Sequence, residues 1–428
     1  MKTKVDYKWF TVKSKEKTTS TAWFNKTTAL LLVLLIPFFE PLCFFYLKDC
    51  VGFEVVGGFF DTFFMVYRAC SVFLILIIFV AKTRFSVSLL LIILMGASMC
   101  LSVLVENESG LLKAVYESVT YISLGIFLCY EWRNRTNELI SAGLILFVAF
   151  AVLSLASIVL TGASGIASVR ANSHEAKDAI FFFGGKNSVF MYNLPALFFL
   201  SVFNYREKGN IGYGPIVLSL IFCVASIWID SASSTFFFLV SLVFLVFFRF
   251  SSKGLFVRFF SQPVVLFVVF LLLLVGIVMM GNEFGILSGL LEFFGRSTTF
   301  SGRTGIWAQA LSDVGASPFF GGGGALTFAI GQAMTPHAHS FYLNEFAQYG
   351  VFCFALFIID AIFVSTTVQR HRASRNVISC IGIFMFYMLV IHSVFDFMSL
   401  PVYFLLRSCV LDGGQAFESL GLGKEELE

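Results

Sequence analysis

Apolar residues fill most of this chain in runs of about 20, separated by short polar stretches. That is the length an α-helix needs to cross the hydrocarbon core of a bilayer. The first run extends from about residue 27 through Pro37, Glu40 and Pro41 to Leu47 without a small-residue cleavage site. It therefore reads as a retained first helix rather than a signal peptide. Further runs predict helices at about 59–81, 85–105, 112–132, 139–160, 178–203, 211–229, 232–248, 263–281, 340–367, 377–397 and 399–411. The expectation is an all-α polytopic membrane protein of about 12 transmembrane helices with one long external loop. The last segment is short, holds Pro401 and Arg407, and reads equally as a re-entrant or tilted piece whose removal would put the C-terminus outside.

Composition narrows the class. With 58% hydrophobic and 13% charged residues in a chain of 428, a set of soluble domains is excluded. The 56 Phe sit in continuous apolar runs, whereas barrel strands would alternate, so helices are expected. The net charge of +3 hides an asymmetry. The alternating topology puts Lys82/Arg84, Arg133/Arg135, Arg206/Lys208, Arg249/Lys253/Arg258 and Arg370/Arg372/Arg375 in cytoplasmic loops, in line with the positive-inside rule. It leaves Lys48, Lys113, Arg170, Lys177, Lys186, Arg296 and Arg303 outside, and Arg68 and Arg407 within spans. The chain divides into a cytoplasmic basic tail (1–26), helices one to nine (27–281), the external loop (282–339), helices ten to twelve (340–411) and a cytoplasmic tail (412–428). The nine cysteines show no CxxC spacing, so they read as small apolar residues and not as a disulfide framework or metal site.

The longest polar interruption runs from Arg296 to Glu345, and a shorter one covers about 161–186. Arg303 follows Ser301-Gly302, a plausible helix start, and shares a helix face with Trp307 four residues on. Its guanidinium could grip a phosphate beside helical N–H groups, or pair with Asp313 or Glu292 at a surface. Arg296 is a weaker candidate of the same kind. Gly321 to Gly324 allow either close approach to a ligand or a plain flexible loop. His337 and His339 follow Pro336 just before a helix, whose positive dipole end would keep an imidazole neutral and suit a general base. Metal binding by this His-x-His pair is disfavoured, since no acidic or cysteine ligand falls at useful spacing. Lys186 lies at the mouth of the sixth span, followed by Asn187, and is either a snorkelling residue or part of an anion site completed by Arg170. Glu40, Glu117, Asp360 and Asp396 lie within spans and are expected to face the interior or an interface. Gly184-Gly185-Lys186 continues with Asn187 instead of Ser or Thr, so no Walker nucleotide site is present.

Several of these pieces, taken in order, resemble one family. Ser301-Gly302-Arg303-Thr304-Gly305-Ile306-Trp307, Ser317-Pro318-Phe319-Phe320-Gly321-Gly322-Gly323, His339-Ser340-Phe341-Tyr342-Leu343 and Tyr349-Gly350-Val351-Phe352 resemble the signature of the O-antigen ligase and O-antigen polymerase superfamily. Gly184-Gly185-Lys186-Asn187 is similar to its Lys-Asn or Pro-Asn element. Ser231-Ala232-Ser233-Ser234-Thr235 stands where the family has Thr-x-Ser-Arg, here without the arginine. The resemblance implies a GT-C-like, metal-independent glycosyltransferase with no cofactor, acting at the outer face of the bacterial inner membrane on glycans carried by undecaprenyl diphosphate. It implies that Arg303 binds the diphosphate, with Lys186, Arg296 and Arg170 as further cations, and that His339 is the general base. His337, Trp307 and Asn187 would support them. The partners it implies are the lipid-linked donor, an acceptor glycan, the bilayer, a chain-length regulator and a flippase, with no nucleic acid. Polymerisation of repeat units is the first reading, and ligation to lipid A core or protein the second. A transporter or lipid flippase is the competitor from another class.

Overall fold

The computed structural model describes residues 24–50, 52–170, 177–250, 303–330, 333–335, 337–370, 377–395 and 400–413, with single positions 262, 265, 268, 269 and 272 in between. The basic tail, the helix expected at 263–281, Arg296 and Asp396 lie outside the described residues. Where about 12 crossings were expected, eight stretches among the described residues are long and apolar enough to span a membrane. They are Lys26–Leu47, Glu54–Phe79, Val87–Glu106, Leu111–Asn134, Thr136–Ser164, Lys186–Lys208, Ala232–Phe250 and Phe341–Val368, and shorter apolar helices cover Gly214–Trp228 and Cys380–His392.

The first of these stretches is two helices, α1 (Lys26–Leu35) and α2 (Leu42–Leu47), separated by a 3-10 turn at Ile36–Phe39. Pro37 and Pro41 cannot donate to a helical ladder, which is why the helix breaks there. The break is compensated within the protein. Arg68, on α3 (Glu54–Phe79), donates from Nε to the Pro37 carbonyl at 2.8 Å and forms an ion pair with Glu40 at 2.7 Å. Non-helical backbone is tolerated at membrane depth only where protein groups satisfy it in this way. Next come α4 (Val87–Glu106) and α5 (Leu111–Asn134), packed closely at Gly96, whose carbonyl accepts from Ser118 Oγ at 3.0 Å. After α6 (Thr136–Thr161) the chain forms a small antiparallel sheet, β1 (Ala167–Arg170), β2 (Lys177–Phe181) and β3 (Gly184–Gly185). The span expected to begin at 178 therefore starts later, as α7 (Val189–Lys208), after the turn Lys186–Ser188.

Helices α8 (Gly214–Trp228) and α9 (Ala232–Phe250) form a hairpin held by Ser219 Oγ donating to the Phe238 carbonyl at 2.9 Å. Beyond residue 302 come α10 (Arg303–Ala316), a hairpin of β4 (Phe328–Ile330) and β5 (Ala333–Thr335), α11 (Phe341–Arg370), α12 (Val377–Phe395) and α13 (Leu400–Ser408). The doubtful last segment is a packed helix. Arg407 is fully buried and reaches Asp360 of α11 with Nε at 2.7 and 2.8 Å and Nη2 at 2.5 Å. Tyr403 Oη donates to the same carboxylate at 2.7 Å, and Ser88 of α4 accepts from Arg407 through both Oγ and its carbonyl. A π-helical turn, Cys409–Gly413, follows α13, and within it Asp412 meets Arg133 at 2.8 Å.

Residues 340–367 were expected to form one span, and Phe341–Val368 is long and apolar enough for one, with a break inside α11 at Gly350, which has φ 78° and ψ −176°. In a continuous helix Phe341 and Phe357 would lie about 24 Å apart at 1.5 Å per residue. Their ring centroids are 5.1 Å apart, Phe346 and Phe354 stack at 4.9 Å, and Tyr342 meets Phe354 at 6.5 Å. These pairs place the first half of α11, residues 341–349, back against the beginning of the second half. The second half alone, 351–370, is about 30 Å long and can cross a bilayer.

Candidate functional site

Trp307, the glycine turn, His337 and His339 of the long loop lie around the start of α11. Helix α10 opens at Arg303, and its apolar stripe of Ile306, Trp307 and Ala310 is buried. Trp307 Nε1 donates to the Ala338 carbonyl at 3.0 Å, fixing α10 to the segment between His337 and His339. Arg303 stands one turn before Trp307, about 6 Å along the helix axis. Gln309 ties in the β4–β5 hairpin, donating to the Thr327 carbonyl at 3.3 Å and accepting from Ala329 N–H at 2.8 Å.

His339 sits two residues ahead of α11 with φ 51°, and Ser340 supplies the carbonyl for the first helical bond, from Asn344 N–H at 2.8 Å. The Ala338 N–H donates to Asn344 Oδ1 at 3.1 Å. His337 is held below its ordinary value near 6.5, first by burial and then by the charge of Lys113 at the start of α5. Both causes favour the neutral imidazole, and neither is the helix dipole invoked for His339. Asp313, on the opposite end of α10 from Arg303, is pushed up by partial burial. The Arg303 side chain and Glu292 lie outside the described residues, and with them the pairing alternative weighed from sequence.

The four glycines take a role that neither sequence reading contained. Gly322 N–H donates to the Ala347 carbonyl at 2.9 Å and Gly324 N–H to the Gln348 carbonyl at 3.1 Å, capping the first half of α11 from outside. Gln348 closes the loop, accepting from Leu326 N–H at 3.0 Å and donating to its carbonyl at 2.9 Å. Val351 N–H, freed by the break, donates to the Pro318 carbonyl at 2.9 Å. A Cβ on Gly321 would lie 2.7 Å from the Gln348 carbonyl carbon, so close backbone packing is what demands glycine there. The turn also touches α4, where Ser317 Oγ donates to Glu106 at 3.0 Å and Ser102 Oγ to the Phe320 carbonyl.

Lys186 belongs to a second group. Its Nζ pairs with Asp230 at 3.4 Å, and Asp230 holds a left-handed backbone (φ 53°) in the turn between α8 and α9. Asn187 Oδ1 accepts from Ser231 Oγ at 3.3 Å and Ser233 Oγ at 3.2 Å. Ser234 Oγ lies 3.3 Å from the Lys186 carbonyl and accepts from Phe190 N–H at 3.4 Å. The serine-rich hairpin that lacks the expected arginine thus braces the Lys186-Asn187 turn. Arg170 ends β1 opposite Lys177, and the sheet order β1-β2-β3 puts its strand two places, about 10 Å, from the strand leading into Lys186. Sequence reasoning missed Asn344 and Asp230, and counted Lys113 as an outer cation without placing it. An amide four residues into a helix, or an acid in a turn, carries no local signal of what it touches.

Fold and site together define a multi-pass membrane protein with polar groups at the folded-back first half of α11 and at the Lys186-Asn187 turn. Residues 216–358 match the family model Wzy_C, described as O-Antigen ligase. The match covers about a third of the chain's length, running from α8 into the second half of α11. The match takes in Ser231–Thr235, Arg303, the glycine turn, His337 and His339, and leaves Arg170, Lys186 and Asn187 before it. No curated protein and no solved structure gives a significant match to the chain.

Proposed function

We propose that this protein is a glycosyltransferase of the bacterial inner membrane that polymerises undecaprenyl-diphosphate-linked oligosaccharide units at the outer face. The observation that carries the reading is the Trp307–Ala338 hydrogen bond, which holds the helix opened by Arg303 against the segment bearing His339, inside the matched domain. An acceptor sugar hydroxyl attacks the anomeric carbon of the donor while His339 takes the hydroxyl proton. The bond from that carbon to the diphosphate oxygen breaks, and the diphosphate leaves on its lipid. Arg303 and Lys186, with Arg296 and Arg170 as further cations, offset the charge of the leaving group. Diphosphate is already a good leaving group, so the step needs neither nucleotide nor cofactor.

The ligase reading, transfer of a finished glycan to lipid A core or protein, is favoured by the match to an O-antigen ligase family. The Gly184-Gly185-Lys186-Asn187 element and the missing arginine after Ser233 favour the polymerase. Glycan analysis of a deletion strain separates them, because single repeat units at the surface mark a lost polymerase and full-length lipid-linked chains a lost ligase. Purified protein in liposomes, given a defined lipid-linked oligosaccharide with and without a chelator, should form glycosidic bonds in both conditions, and H339A and R303A should form none. Wild-type turnover by either variant would refute its assigned role. Substrate movement without bond formation would favour a transporter.

A further inference from the structure

His339 is one of two non-glycine residues with positive φ among the described residues. Such a conformation costs of order 1–3 kcal/mol and persists only where its surroundings over-determine it. Here the chain is gripped on both sides of the histidine. The Ala338 carbonyl, which shares a peptide plane with the His339 N–H, accepts from Trp307 Nε1 at 3.0 Å. The Ala338 N–H donates to Asn344 Oδ1 at 3.1 Å, and the Ser340 carbonyl accepts from Asn344 N–H at 2.8 Å. One residue, Asn344, thus bonds both neighbours of His339.

The arrangement departs from an ordinary helix start. In a common cap the serine before the first helical residue accepts from a backbone N–H one turn on. Ser340 Oγ is buried and makes no such bond among the described residues. Instead a side chain from inside the first turn reaches back past His339. Asn344 is itself buried, and its Nδ2 donates to Glu345 Oε1 at 3.4 Å. That contact settles which way the amide points, with its oxygen on Ala338 and its nitrogen on the carboxylate.

We propose that Asn344 is a positioning residue that, together with Trp307, holds His339 in its left-handed conformation and so aims the imidazole at the acceptor hydroxyl. The inference rests on the reading of His339 as the general base. Misplacing a catalytic group by about 1 Å can cost on the order of 100-fold in rate, while uniform binding is untouched.

The test uses full-length protein in liposomes, normalised to the folded fraction by gel filtration, with turnover of a defined lipid-linked oligosaccharide as readout. N344A and W307F should each lower kcat about tenfold or more with KM within about twofold. Because both act on Ala338, their combination should cost less than the product of the two single losses. The double variant N344D/E345Q restores an acceptor to the Ala338 N–H and a donor amide beside it at unchanged net charge, and should recover most of kcat. Folded N344A with kcat within twofold of wild type overturns the proposal, as does a loss confined to KM. If N344A does not fold, W307F at wild-type kcat overturns it. The H339A control separates the two readings. An inactive H339A beside a fully active N344A sinks the positioning role alone, whereas an active H339A sinks the base and this proposal with it.

Discussion

Substituting alanine for Gly350 should undo the reversal on which the site is built. The native φ of 78° with ψ of −176° lies in a region that is essentially glycine-only, a cost of about 1–3 kcal/mol for any other residue. The new Cβ would overlap the Phe319 carbonyl and stand 2.6 Å from Phe320 N, and both are backbone atoms that cannot rotate away. Relief requires the 318–324 turn to withdraw. It would give up the bonds from Val351 to Pro318, Gly322 to Ala347 and Gly324 to Gln348, each worth about 1 kcal/mol net. The sum, about 4–6 kcal/mol, is a large part of the 5–15 kcal/mol that typically separates folded from unfolded chains. Thermal unfolding of detergent-purified protein, followed by fluorescence-detected gel filtration, measures it. Gly58 on α3 is the matched control, since a Cβ there meets nothing within 4 Å and alanine gains about 1 kcal/mol of helix propensity. G350A should melt well below wild type and G58A at or above it. Equal melting of G350A and wild type would refute the account of the break.

Three further outcomes are expected. R407M leaves Asp360 ionised and unpaired in the interior and should cost about 3–5 kcal/mol, while D360N/R407M should recover much of the loss; equal melting of the two variants would show that the charge pair is not the reason. Because burial holds His337 below 6.5, the unfolded chain takes up the proton first as pH falls. Its contribution is therefore complete above about pH 6.5 and is lost below it, so wild type should destabilise more steeply than H337N between about pH 7.5 and 5.5, and parallel curves would deny the effect. Asp230 competes with substrate for Lys186 in a partly exposed pair worth at most about 1 kcal/mol, so D230N should lower KM for the lipid diphosphate by up to about fivefold and K186Q should raise it. A higher KM in D230N would mean that Asp230 orients the lysine instead.

Much of the architecture was legible because it is written in local spacing. The apolar runs marked out most of the spans, and the helical spacing expected after Ser301-Gly302 is met by α10, whose stripe of Ile306, Trp307 and Ala310 is buried. Glu40, Asp360, Arg68 and Arg407 stood out as charges in apolar surroundings, yet their pairing did not, since the partners lie 28 and 47 residues apart on different elements. The reversal at Gly350 was hidden because a lone glycine in a largely apolar stretch carries no local turn signal, and what turns the chain there is that glycine fitting against the 318–324 turn. The glycine run itself was ambiguous for the same reason, as its demand for a missing Cβ comes from the carbonyl ends of another element. The short sheet before Lys186 replaced what read as loop and the start of the sixth span, and the hairpin after Thr327 what read as loop, because their pairing rests on backbone bonds with little side-chain pattern.

The Arg407 network also bears on how the molecule is put together in the cell. Taken alone into lipid, α13 would carry an unpaired guanidinium, at a cost of about 2.5–3.5 kcal/mol near a helix centre on insertion scales. Its acceptors, Ser88 and Asp360, sit on helices that the ribosome delivers earlier. Insertion of α13 should therefore await docking of α4 and the second half of α11, so that this helix is the last of those described to settle. Until it does, Asp360 and Ser88 form an open polar notch in the half-built bundle, the kind of feature by which membrane quality-control proteases could recognise an unfinished copy.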